Sequence, residues 1–232
     1  MNNPFKPPIV ILANGKFPKH EIAVKAFRSA GTLICADGSY NHLASIGLKP
    51  HVIIGDLDSV NDLTNFDGLI INDSNQNNSD LEKCIDWSIM NGIKQVAIIG
   101  ATGLREDMTV NNIMLLYRYF EKIDLKIITD HFTIFCNNGK NSFPSFKGQI
   151  VSLIPQNSNC EMYTTNLKYA LHGNVNNYTN LSSNESLNET FTIESSAPVI
   201  IFLRSPKFIK YVLLRYNNCS ALFFRVNAFR FL

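Results

Sequence analysis

Two carboxylates one residue apart follow a run of apolar residues early in the chain. The stretch VIIGDLDSV, residues 52–60, is typical of a buried strand that leads directly into Asp56 and Asp58. Like charges at this spacing repel each other unless a neighbouring positive charge neutralises them. Hard oxygen ligands at a strand end suit magnesium that is bound together with substrate phosphates. The Asp56/Asp58 pair therefore predicts a divalent-metal site.

Other apolar runs in the first half of the chain also end in aspartate. Asp37 follows LICA, Asp73 follows LIIN and Asp130 follows LKIIT. Ligands of open α/β sheets bind at the carboxyl ends of strands, so these residues are candidates for the same site. The small residues Gly38 and Ser39 come after Asp37 and allow a ligand to approach closely. Aspartate is also a common turn residue, and for Asp73 and Asp130 that simpler explanation stays open.

The segment NQNNSDLEK, residues 75–83, combines a helix-start signal with a glutamine that the signal does not explain. Ser79 and Glu82 have the S-x-x-E spacing of a capping box, and Asp80 falls in the first helical turn. Capping alone accounts for these three residues, but it does not account for Gln76. It also leaves the Asp80 carboxylate able to reach a metal.

A glycine turn precedes a further helical segment. In IIGATGLREDMTVNNI, residues 98–113, a strand leads through Gly100 and Gly103 into a helix. Backbone N–H groups at such a turn can bind phosphate, and Arg105 adds a planar charge suited to phosphate oxygens. We expect Asp107 to cap the helix. The third glycine of a dinucleotide-binding fingerprint is missing and the turn follows a late strand, which disfavours a nicotinamide-dependent reductase.

Strands and helices are predicted to alternate over the first part of the chain, because continuous apolar runs suit strands buried on both faces of a parallel sheet. Amphipathic segments between several of these runs suit helices. The alternation predicts an α/β fold with an N-terminal, doubly wound, mostly parallel sheet. The apolar runs are 8–13, 32–37, 51–56, 69–73, 94–100 and 125–130, and the helical patterns cover 20–30, 40–47, 79–91 and 107–122.

The sequence pattern changes after residue 137. The stretch NNGKNSFPSFKG, residues 137–148, is typical of a linker or long turn. The strand-like segments QIVSLIP, CEMYTT, LKYAL, ETFTIES and PVIIFL follow, and they predict a small antiparallel β-sandwich. We therefore divide the chain into an α/β domain (1–140), a β-sandwich domain (141–203) and an unassigned basic and apolar tail (204–232).

The composition is that of an ordinary globular protein. The chain has 232 residues and a formal net charge of +2, which favours neither nucleic acid nor a membrane surface as a partner. Its five cysteines form no CxxC pair and predict buried thiols of a reducing compartment. The N-terminal residues lack the pattern of a signal peptide, and no apolar run approaches the roughly 18 residues of a membrane span. The expected location is the cytoplasm.

The chain contains, in order, the motifs ADGS (36–39), GDLDS (55–59), QNNSDLEK (76–83), GATGLREDMTVNNI (100–113), NLKYAL (166–171) and SSNES (182–186). Together they resemble the thiamine pyrophosphokinase family over about residues 8–203. The resemblance implies the reaction ATP + thiamine → AMP + thiamine diphosphate, with magnesium as cofactor. It also implies a homodimer with active sites at the interface, a first domain that binds nucleotide and metal, and a β-sandwich that binds thiamine and forms the dimer.

Carried over residue by residue, the resemblance implies specific roles for the motif residues. Carboxylate-held metal together with an arginine is the equipment that phosphoryl-type transfer requires, since such chemistry depends on positioning and charge neutralisation. The implied magnesium ligands are Asp56, Asp58 and Asp80, with Asp37 nearby; Gln76, Ser79, Arg105 and Asp107 would contact the triphosphate or the reacting hydroxyl; and Ser183 and Asn184 would help to seat thiamine.

The chain departs from the family pattern at three positions. Ser39 stands where the family often has glycine, Ser79 where it often has threonine, and Met108 where it often has histidine. Serine at position 79 keeps the hydroxyl, but we assign no proton role to position 108. Some family members stack a tryptophan on thiamine, whereas Trp87, the single tryptophan here, falls in a helical pattern and is expected to pack in the fold.

Two other functions stay open at this stage. An aspartyl-nucleophile phosphatase would use a D-x-D motif, although that motif follows the first strand in such enzymes and the third strand here. Phosphate release that does not need ATP would support it. A non-catalytic relative that binds thiamine or nucleotide would bind without forming product, and Ser39 and Met108 are compatible with this alternative.

Overall fold

The structure is a computed structural model that describes residues 4–175 and 181–206. The chain forms two compact units, with the boundary between Cys136 and Asn137. The elements of the first unit are β1 (Ile9–Leu12), α1 (Glu21–Arg28), β2 (Thr32–Ala36), α2 (Ser39–Ser45), β3 (Val52–Gly55), β4 (Leu69–Asn72), α3 (Asp80–Met90), β5 (Gln95–Ile99), α4 (Glu106–Tyr119), β6 (Asp124–Ile128) and the start of β7 (Phe132–Pro144).

The first unit is built on a parallel sheet with the strand order β4-β3-β2-β1-β5-β6. The antiparallel strand β7 pairs with the outer side of β6. Ile11 of β1 lies between Ile34 of β2 and Ile98 of β5, so the most apolar strands occupy the middle of the sheet. The strand order reverses between β1 and β5, and ligands of doubly wound sheets bind at such a switch point.

Helices cover both faces of this sheet. On one face, α1 contributes Ala23 and Phe27 and α2 contributes Tyr40 and Leu43 to a core that also contains the side chain of Ile99. After β4, the next strand, β5, is added on the opposite side of β1. Because crossovers between parallel strands are right-handed, α3 and α4 then lie on the other face of the sheet. The predicted α/β fold with a doubly wound, mostly parallel sheet is confirmed.

Strand β4 differs from the prediction that its apolar run is buried on both faces. Leu69 is 44% exposed and Ile70 is 39% exposed. Among the strands that the structure describes, β4 pairs only with β3, so it is an edge strand. Hydrophobicity alone does not distinguish an edge strand from a central one, because position in the sheet is fixed by the order of the crossovers.

The second unit consists of antiparallel strands, as predicted. The long strand β12 pairs with β8 through its second half and with β9 through its first half, while β10 pairs with β9 and β11 with β8. The separate strands predicted from ETFTIES and PVIIFL are therefore one strand. Besides the end of β7, the elements are β8 (Ile150–Pro155), β9 (Glu161–Thr165), β10 (His172–Asn174), β11 (Asn184–Glu185) and β12 (Thr190–Arg204).

The predicted linker 137–148 is wrong over most of its length, because β7 continues to Pro144. The amide of Asn141 donates to Oδ1 of Asn137 at 2.7 Å, so asparagines that suggested a turn bond to each other. Gly139 has φ of +74°, a value that glycine adopts without strain and that permits a local irregularity in the strand. Turn-forming residues therefore occur within a strand here.

The remaining predictions concern the cysteines, the C-terminal tail and membrane crossing. None of the four described cysteines, at positions 35, 84, 136 and 160, is in a disulfide, while Cys219 lies outside the described residues. The part of the tail beyond Pro206 also lies outside them. Among the described helices, none has both the length and the apolar character that a membrane crossing requires.

The side chain of Asn184 ties β11 to a neighbouring loop of the second unit. It is fully buried, and its Oδ1 accepts hydrogen bonds from the backbone N–H groups of Tyr169 at 3.0 Å and Glu185 at 2.8 Å. Its Nδ2 donates to the carbonyl of Tyr169 at 2.7 Å. The carboxamide thus satisfies the backbone N–H and carbonyl of Tyr169 and adds to the backbone bond from Lys168 to Glu185 that joins the same segments, which explains a fully buried polar residue at this position.

Replacing this carboxamide should destabilise the protein. We expect Asn184→Ala to lower the free energy of unfolding by about 1–3 kcal/mol, because it leaves part-buried backbone groups without partners. Urea unfolding followed by circular dichroism measures the change. Asn188→Ala is the matched control, since Asn188 is exposed and accepts bonds from Ser145 and Ser186 through its backbone carbonyl. Equal losses in the two variants would contradict the interpretation.

Candidate active site

Three aspartates meet at the carboxyl ends of β2 and β3. Asp37, Asp56 and Asp58 each offer one carboxylate oxygen, and these oxygens lie within 4.8 Å of one another. We call this group the acidic triad. Its members come from neighbouring parallel strands, whose carboxyl ends lie at the same edge of the sheet. The sequence predicted the pair Asp56/Asp58 as a metal site, and the structure adds Asp37 to it as an equal member.

The backbone around the triad is shaped by two residues with positive φ and by one glycine. Asp37 has φ of +35° and Leu57 has φ of +67°, so each strand turns sharply where its carboxylate begins. The backbone N–H of Asp37 donates to the carbonyl of Ile54 at 2.8 Å. A Cβ atom on Gly55 would lie only 2.6 Å from Cβ of Asp37. Glycine at position 55 therefore allows the two strand ends to come close enough to form the triad.

Hydrogen bonds keep Asp56 ionised. Gln76 donates from Nε2 to Oδ2 of Asp56 at 2.9 Å, and the backbone N–H of Asp58 approaches Oδ1 of Asp56 at 3.4 Å. The bond from Gln76, followed by that from Asp58, lowers the pKa of the Asp56 carboxyl, because both stabilise its charged form. Gln76, which helix capping left unexplained, therefore contacts the triad directly.

The triad has the donor set of a divalent-cation site. Asp37 is 3% exposed, and within the described residues its buried Oδ1 accepts no hydrogen bond. A buried carboxylate oxygen without a partner is costly, and a bound cation would compensate for it. Asp56 and Asp58 supply further hard oxygen ligands on the open side of the site. These residues fit magnesium, which prefers a few carboxylates and retains water or substrate oxygens.

Asp80 bonds to a lysine, whereas its predicted role is that of a metal ligand. Its Oδ1 accepts a hydrogen bond from Nζ of Lys83 at 2.9 Å, and its oxygens are not among those grouped in the triad. Burial raises the pKa of Asp80, the charges of Asp37 and Asp56 add to the rise, and Lys83 opposes it. Asp80 is thus close enough to the triad to sense its charge, and direct metal ligation by Asp80 stays a prediction.

Lys83 is a site residue that the sequence analysis did not identify. Only 3% of its side chain is exposed, which is rare for a lysine without a specific partner. Burial alone would lower its pKa, but the hydrogen bond and charge of Asp80, with further effects of Asp56 and Asp73, raise it overall. The ammonium group therefore stays charged beside the carboxylates. Its spacing of three residues from Asp80 on α3 was the available signal.

The predicted capping box at the start of α3 is confirmed. The backbone N–H of Glu82 donates to Oγ of Ser79 at 3.3 Å, and the backbone N–H of Ser79 approaches Oε2 of Glu82 at 3.4 Å. Helix α3 begins at Asp80, so the cap fixes the backbone position from which the Asp80 side chain extends. Ser79 lies between Gln76 and Asp80, the two residues that border the triad on this side.

The prediction that Asp107 caps α4 is wrong. Residue 105 is the N-cap and makes no side-chain cap, and Asp107 falls in the first turn. Arg105 donates from Nε to Oδ1 of Asp107 at 3.1 Å and from Nη2 to Oδ2 at 2.5 Å. The two exposed side chains thus form a bidentate ion pair, which lowers the pKa of Asp107 and raises that of Arg105. Asp107 therefore pairs with Arg105 from within the first turn of α4 and does not occupy the cap position.

The glycine turn after β5 lies beside the switch point of the sheet. Gly100 and Gly103 have φ of +70° and +94°. The backbone N–H of Gly15, just after β1, donates to the carbonyl of Gly100 at 2.7 Å, and a Cβ on Gly15 would lie 2.2 Å from that oxygen. An adjacent cleft of about 160 Å³ is lined by Lys16, Thr102 and residues 128–131, among others. The turn and cleft together form a second concave part of the same sheet edge.

Asp73 and Asp130 follow strands, and their carboxylates bond to backbone N–H groups outside the triad. Oδ1 of Asp73 accepts a hydrogen bond from the backbone N–H of Asn75 at 2.9 Å. Oδ1 of Asp130 accepts from the backbone N–H groups of Lys19 at 2.5 Å and His20 at 2.7 Å. Burial opposes ionisation of Asp130, but these backbone bonds outweigh it and lower its pKa. The turn explanation that the sequence left open accounts for Asp73, whereas Asp130 bonds over a long range to the backbone at the start of α1.

Ser183 and Asn184, the predicted thiamine-binding residues, lie in the second unit. Ser183 is exposed, has φ of +57°, and its backbone N–H donates to Oγ of Ser152 at 3.0 Å. The side chain of Asn184 is committed to the backbone of Tyr169 and Glu185. Ser183 is therefore the member of this pair with an accessible side chain, while Asn184 fixes the backbone beside it.

The structure shows the surroundings of Ser39, Met108 and Trp87, at which the sequence differs from the family pattern. Oγ of Ser39 is buried and donates to the carbonyl of Leu12 at 2.9 Å, so the hydroxyl is satisfied inside the fold. Met108 is 37% exposed on α4. Trp87 is 7% exposed and contacts the ring of Phe5 edge-to-face at 4.8 Å, which agrees with its predicted packing role.

Comparisons with known proteins show which family the chain resembles. Residues 23–129 match the family model described as the thiamin pyrophosphokinase catalytic domain, a range that includes the triad, Gln76 and the Arg105–Asp107 pair. A thiamine pyrophosphokinase from rice is 27% identical over 226 residues, which cover 82% of this chain and 84% of the relative. The chain is thus similar to thiamine pyrophosphokinases, both in this domain and over most of its length. These relatives are enzymes, and the predicted resemblance to the family is confirmed.

Solved structures of thiamine pyrophosphokinases have the same fold. The enzyme from Bacillus subtilis superimposes with a TM-score of 0.72 at 21% identity, covering 86% of this chain and 99% of the other. The enzyme from Candida albicans gives a TM-score of 0.71 at 20% identity, covering 85% of this chain and 89% of the other. The order of elements described above is thus the order of the thiamine pyrophosphokinase fold.

Removing one charge from the triad should separate metal binding from folding. In Asp58→Asn, repulsion within the triad is weaker, so we expect a melting temperature equal to or above that of the wild type without divalent metal. The rise in melting temperature caused by magnesium or manganese should be lost, because a ligand stabilises only the state that binds it. Thermal unfolding with and without metal measures both effects.

The control for this experiment is Asp67→Asn. Asp67 lies on the connection between β3 and β4 that also carries Asp58, is exposed, and pairs with Lys49 rather than with the triad. This variant should keep the metal-dependent rise. A metal response of normal size in Asp58→Asn would remove Asp58 from the cation site.

Proposed function

We propose that the protein transfers the pyrophosphoryl group of MgATP to the hydroxyl of thiamine, giving thiamine diphosphate and AMP. The observation that carries this proposal is the acidic triad, which lies in the part of the chain that matches the thiamin pyrophosphokinase catalytic domain. Phosphoryl-type transfer depends on positioning and on stabilising charge at the phosphates, and a triad of carboxylates equips a protein to hold the necessary cation.

Asp37, Asp56 and Asp58 would hold magnesium in this reaction. When bound, the ion supplies positive charge to the phosphate oxygens of ATP and stabilises the charge that develops there. Gln76 orients Asp56 through its 2.9 Å hydrogen bond. Lys83 keeps a positive charge beside Asp80, which limits the total negative charge that an incoming triphosphate meets.

The nucleotide would bind along the carboxyl edge of the parallel sheet. The glycine turn at Gly100 and Gly103 offers backbone N–H groups to phosphate, and Lys16 lines the cleft beside it. Arg105 is exposed at the start of α4 and can exchange its bond to Asp107 for a bidentate bond to phosphate oxygens. Ser79 would contribute from the start of α3.

The proton of the thiamine hydroxyl needs an acceptor. Asp107 is a weak base because Arg105 lowers its pKa, so its role as acceptor depends on Arg105 moving to phosphate. Asp80, whose pKa burial raises, is the other carboxylate near the triad. Asp107 and Asp80 are therefore the candidates to accept the proton.

Thiamine would be seated by the second unit in a homodimer. Ser183 presents an accessible hydroxyl, and Asn184 fixes the backbone from which it projects. Several large apolar side chains of this unit are exposed, among them Tyr163 at 47% and Tyr169 at 55%. Exposed aromatic residues are typical of surfaces that bind a partner or an organic ligand.

The products of the reaction test the proposed function. In a mixture of protein, ATP, magnesium and thiamine, AMP should appear one-for-one with thiamine diphosphate, because attack at the β-phosphorus moves two phosphates together. Separation of nucleotides and thiamine esters by chromatography measures the ratio. ADP with thiamine monophosphate would overturn the proposal. Rapid ATP-independent phosphate release would support a phosphatase, and binding without product would support a non-catalytic relative.

The assembly is tested separately. A β-rich unit this small has limited core of its own, so we expect two chains to associate through it. Light scattering at micromolar concentration should report twice the mass of 26.1 kDa calculated for one chain. A monomer with full activity would refute the shared site while leaving the chemical proposal intact.

A further inference from the structure

The loop between β4 and α3 presents two residues to the active site and rests on two carboxylates of α3. Nδ2 of Asn78 donates to Oδ2 of Asp86 at 3.1 Å. The backbone N–H of the next residue, Ser79, approaches Oε2 of Glu82 at 3.4 Å. Consecutive residues at the end of the loop thus bond to carboxylates on successive turns of the same helix.

Both carboxylates are held in turn by consecutive residues at the end of α4. Arg118 donates from Nη1 to Oε1 of Glu82, and the hydroxyl of Tyr119 donates to Oδ1 of Asp86 at 2.8 Å. We call these two chains of contacts, Ser79–Glu82–Arg118 and Asn78–Asp86–Tyr119, the α3–α4 clamp. Each carboxylate uses one oxygen for the loop and the other for α4.

The centre of the clamp is buried and costly, which argues for a role beyond packing. Glu82 is 5% exposed and Tyr119 is 2% exposed, while the side chain of Arg118 reaches the surface and is 59% exposed. Apolar residues of similar volume would join two helices at least as stably as buried charged groups, because desolvating a charge opposes its pairing. What apolar residues would not provide is a fixed direction for each carboxylate oxygen, and hence for the loop that bonds to it.

The clamp is connected to the active site through the loop that it holds. The loop that it holds carries Gln76, which bonds to the triad member Asp56, and it ends at Asp80, which pairs with Lys83. Helix α4 begins at the other side of the same site with the Arg105–Asp107 pair. The clamp therefore links the first two turns of α3, the helix that starts at Asp80, to the last turn of α4, the helix that starts beside Arg105.

We propose that Arg118 and Tyr119 are positioning residues of the active site: they fix Glu82 and Asp86, and through them the loop that orients Gln76 and Asp80 toward the acidic triad. The kinetic part of this proposal rests on the proposed function, while the structural part does not. Neither residue belongs to the motifs that carry the family resemblance.

The test uses Tyr119→Phe, which removes one hydroxyl, and Arg118→Met, which removes the charge and keeps an unbranched chain. Arg118→Lys retains the charge and is the conservative rescue. The matched control is Leu115→Ala, because Leu115 is 4% exposed on the same helix and removing its side chain destabilises packing without touching a carboxylate. Fluorescence of Trp87, the single tryptophan, reports whether α3 stays packed in each variant.

The first readout is independent of activity. Hydrogen exchange at the amides of residues 76–82 should be about fivefold or more faster in Tyr119→Phe and Arg118→Met, the scale expected for losing one hydrogen bond. Exchange in this segment should be close to the wild-type value in Arg118→Lys and Leu115→Ala. Binding of Mn²⁺, followed by electron paramagnetic resonance without nucleotide, should weaken by a similar factor in the first two variants only.

The second readout is kinetic. With thiamine and ATP, kcat should fall about tenfold in Tyr119→Phe and Arg118→Met while KM for thiamine changes little, because misplaced catalytic groups slow the reaction of bound substrate. Unchanged exchange in residues 76–82, or losses no greater than those of Leu115→Ala, would overturn the proposal. Faster exchange with normal Mn²⁺ binding would likewise overturn it. A wild-type protein that forms no thiamine diphosphate would count against the proposed function alone, since exchange and Mn²⁺ binding would still decide the role of the clamp.

Discussion

Electrostatic repulsion among carboxylates is the constraint around which the first unit is organised. Asp37, Asp56 and Asp58 place three acidic groups within 4.8 Å, and Asp80 lies close enough for its pKa to respond to two of them. Such a cluster is unfavourable in the free protein and becomes favourable when a cation binds. The fold must therefore hold the carboxylates together against their repulsion.

Neighbouring residues compensate part of the negative charge of these carboxylates. Gln76 donates to one oxygen of Asp56, and the ammonium group of Lys83 provides a permanent positive charge beside Asp80. Neither interaction saturates the site, because Oδ1 of Asp37 still accepts no hydrogen bond among the described residues. The protein thus compensates enough charge to fold and leaves an electronegative position for a ligand. This arrangement requires an ordered loop before α3, because Gln76 on that loop helps to hold Asp56 against the repulsion of the other carboxylates.

The sequence predicts those parts of the site that depend on local pattern. The apolar run before Asp56 gives the strand and its end, and the S-x-x-E spacing gives the start of α3, so the placement of Asp56, Asp58 and Asp80 on the sheet edge follows. It does not predict which partner each carboxylate chooses. Asp107 pairs with Arg105 from the first turn of α4 and does not occupy the cap position, and Asp80 bonds to Lys83, because side-chain geometry decides which nearby donor a carboxylate bonds to.

Long-range contacts are also beyond local pattern. The pairing of Glu82 with Arg118 joins residues that are 36 positions apart, and it depends on how α3 and α4 cross the sheet. The same limit explains the exposed strand β4, since its residues match those of a central strand and only the strand order makes it an edge. In the second unit, the asparagine and glycine residues 137–141 predicted a turn, but β7 continues through them. Side-chain hydrogen bonding within the strand offsets their low β-propensity.

Gly55 shows that the acidic site is defined by a missing side chain as much as by the charged ones. A single methyl group there would occupy the space in which Asp37 approaches the end of β3. Transplanting the three aspartates onto another parallel sheet would therefore reproduce the charges without their spacing unless the glycine moved with them. For the same reason, a search for unrelated proteins with this site would gain specificity by requiring a residue without Cβ at the strand end, one position before the first acid of the pair.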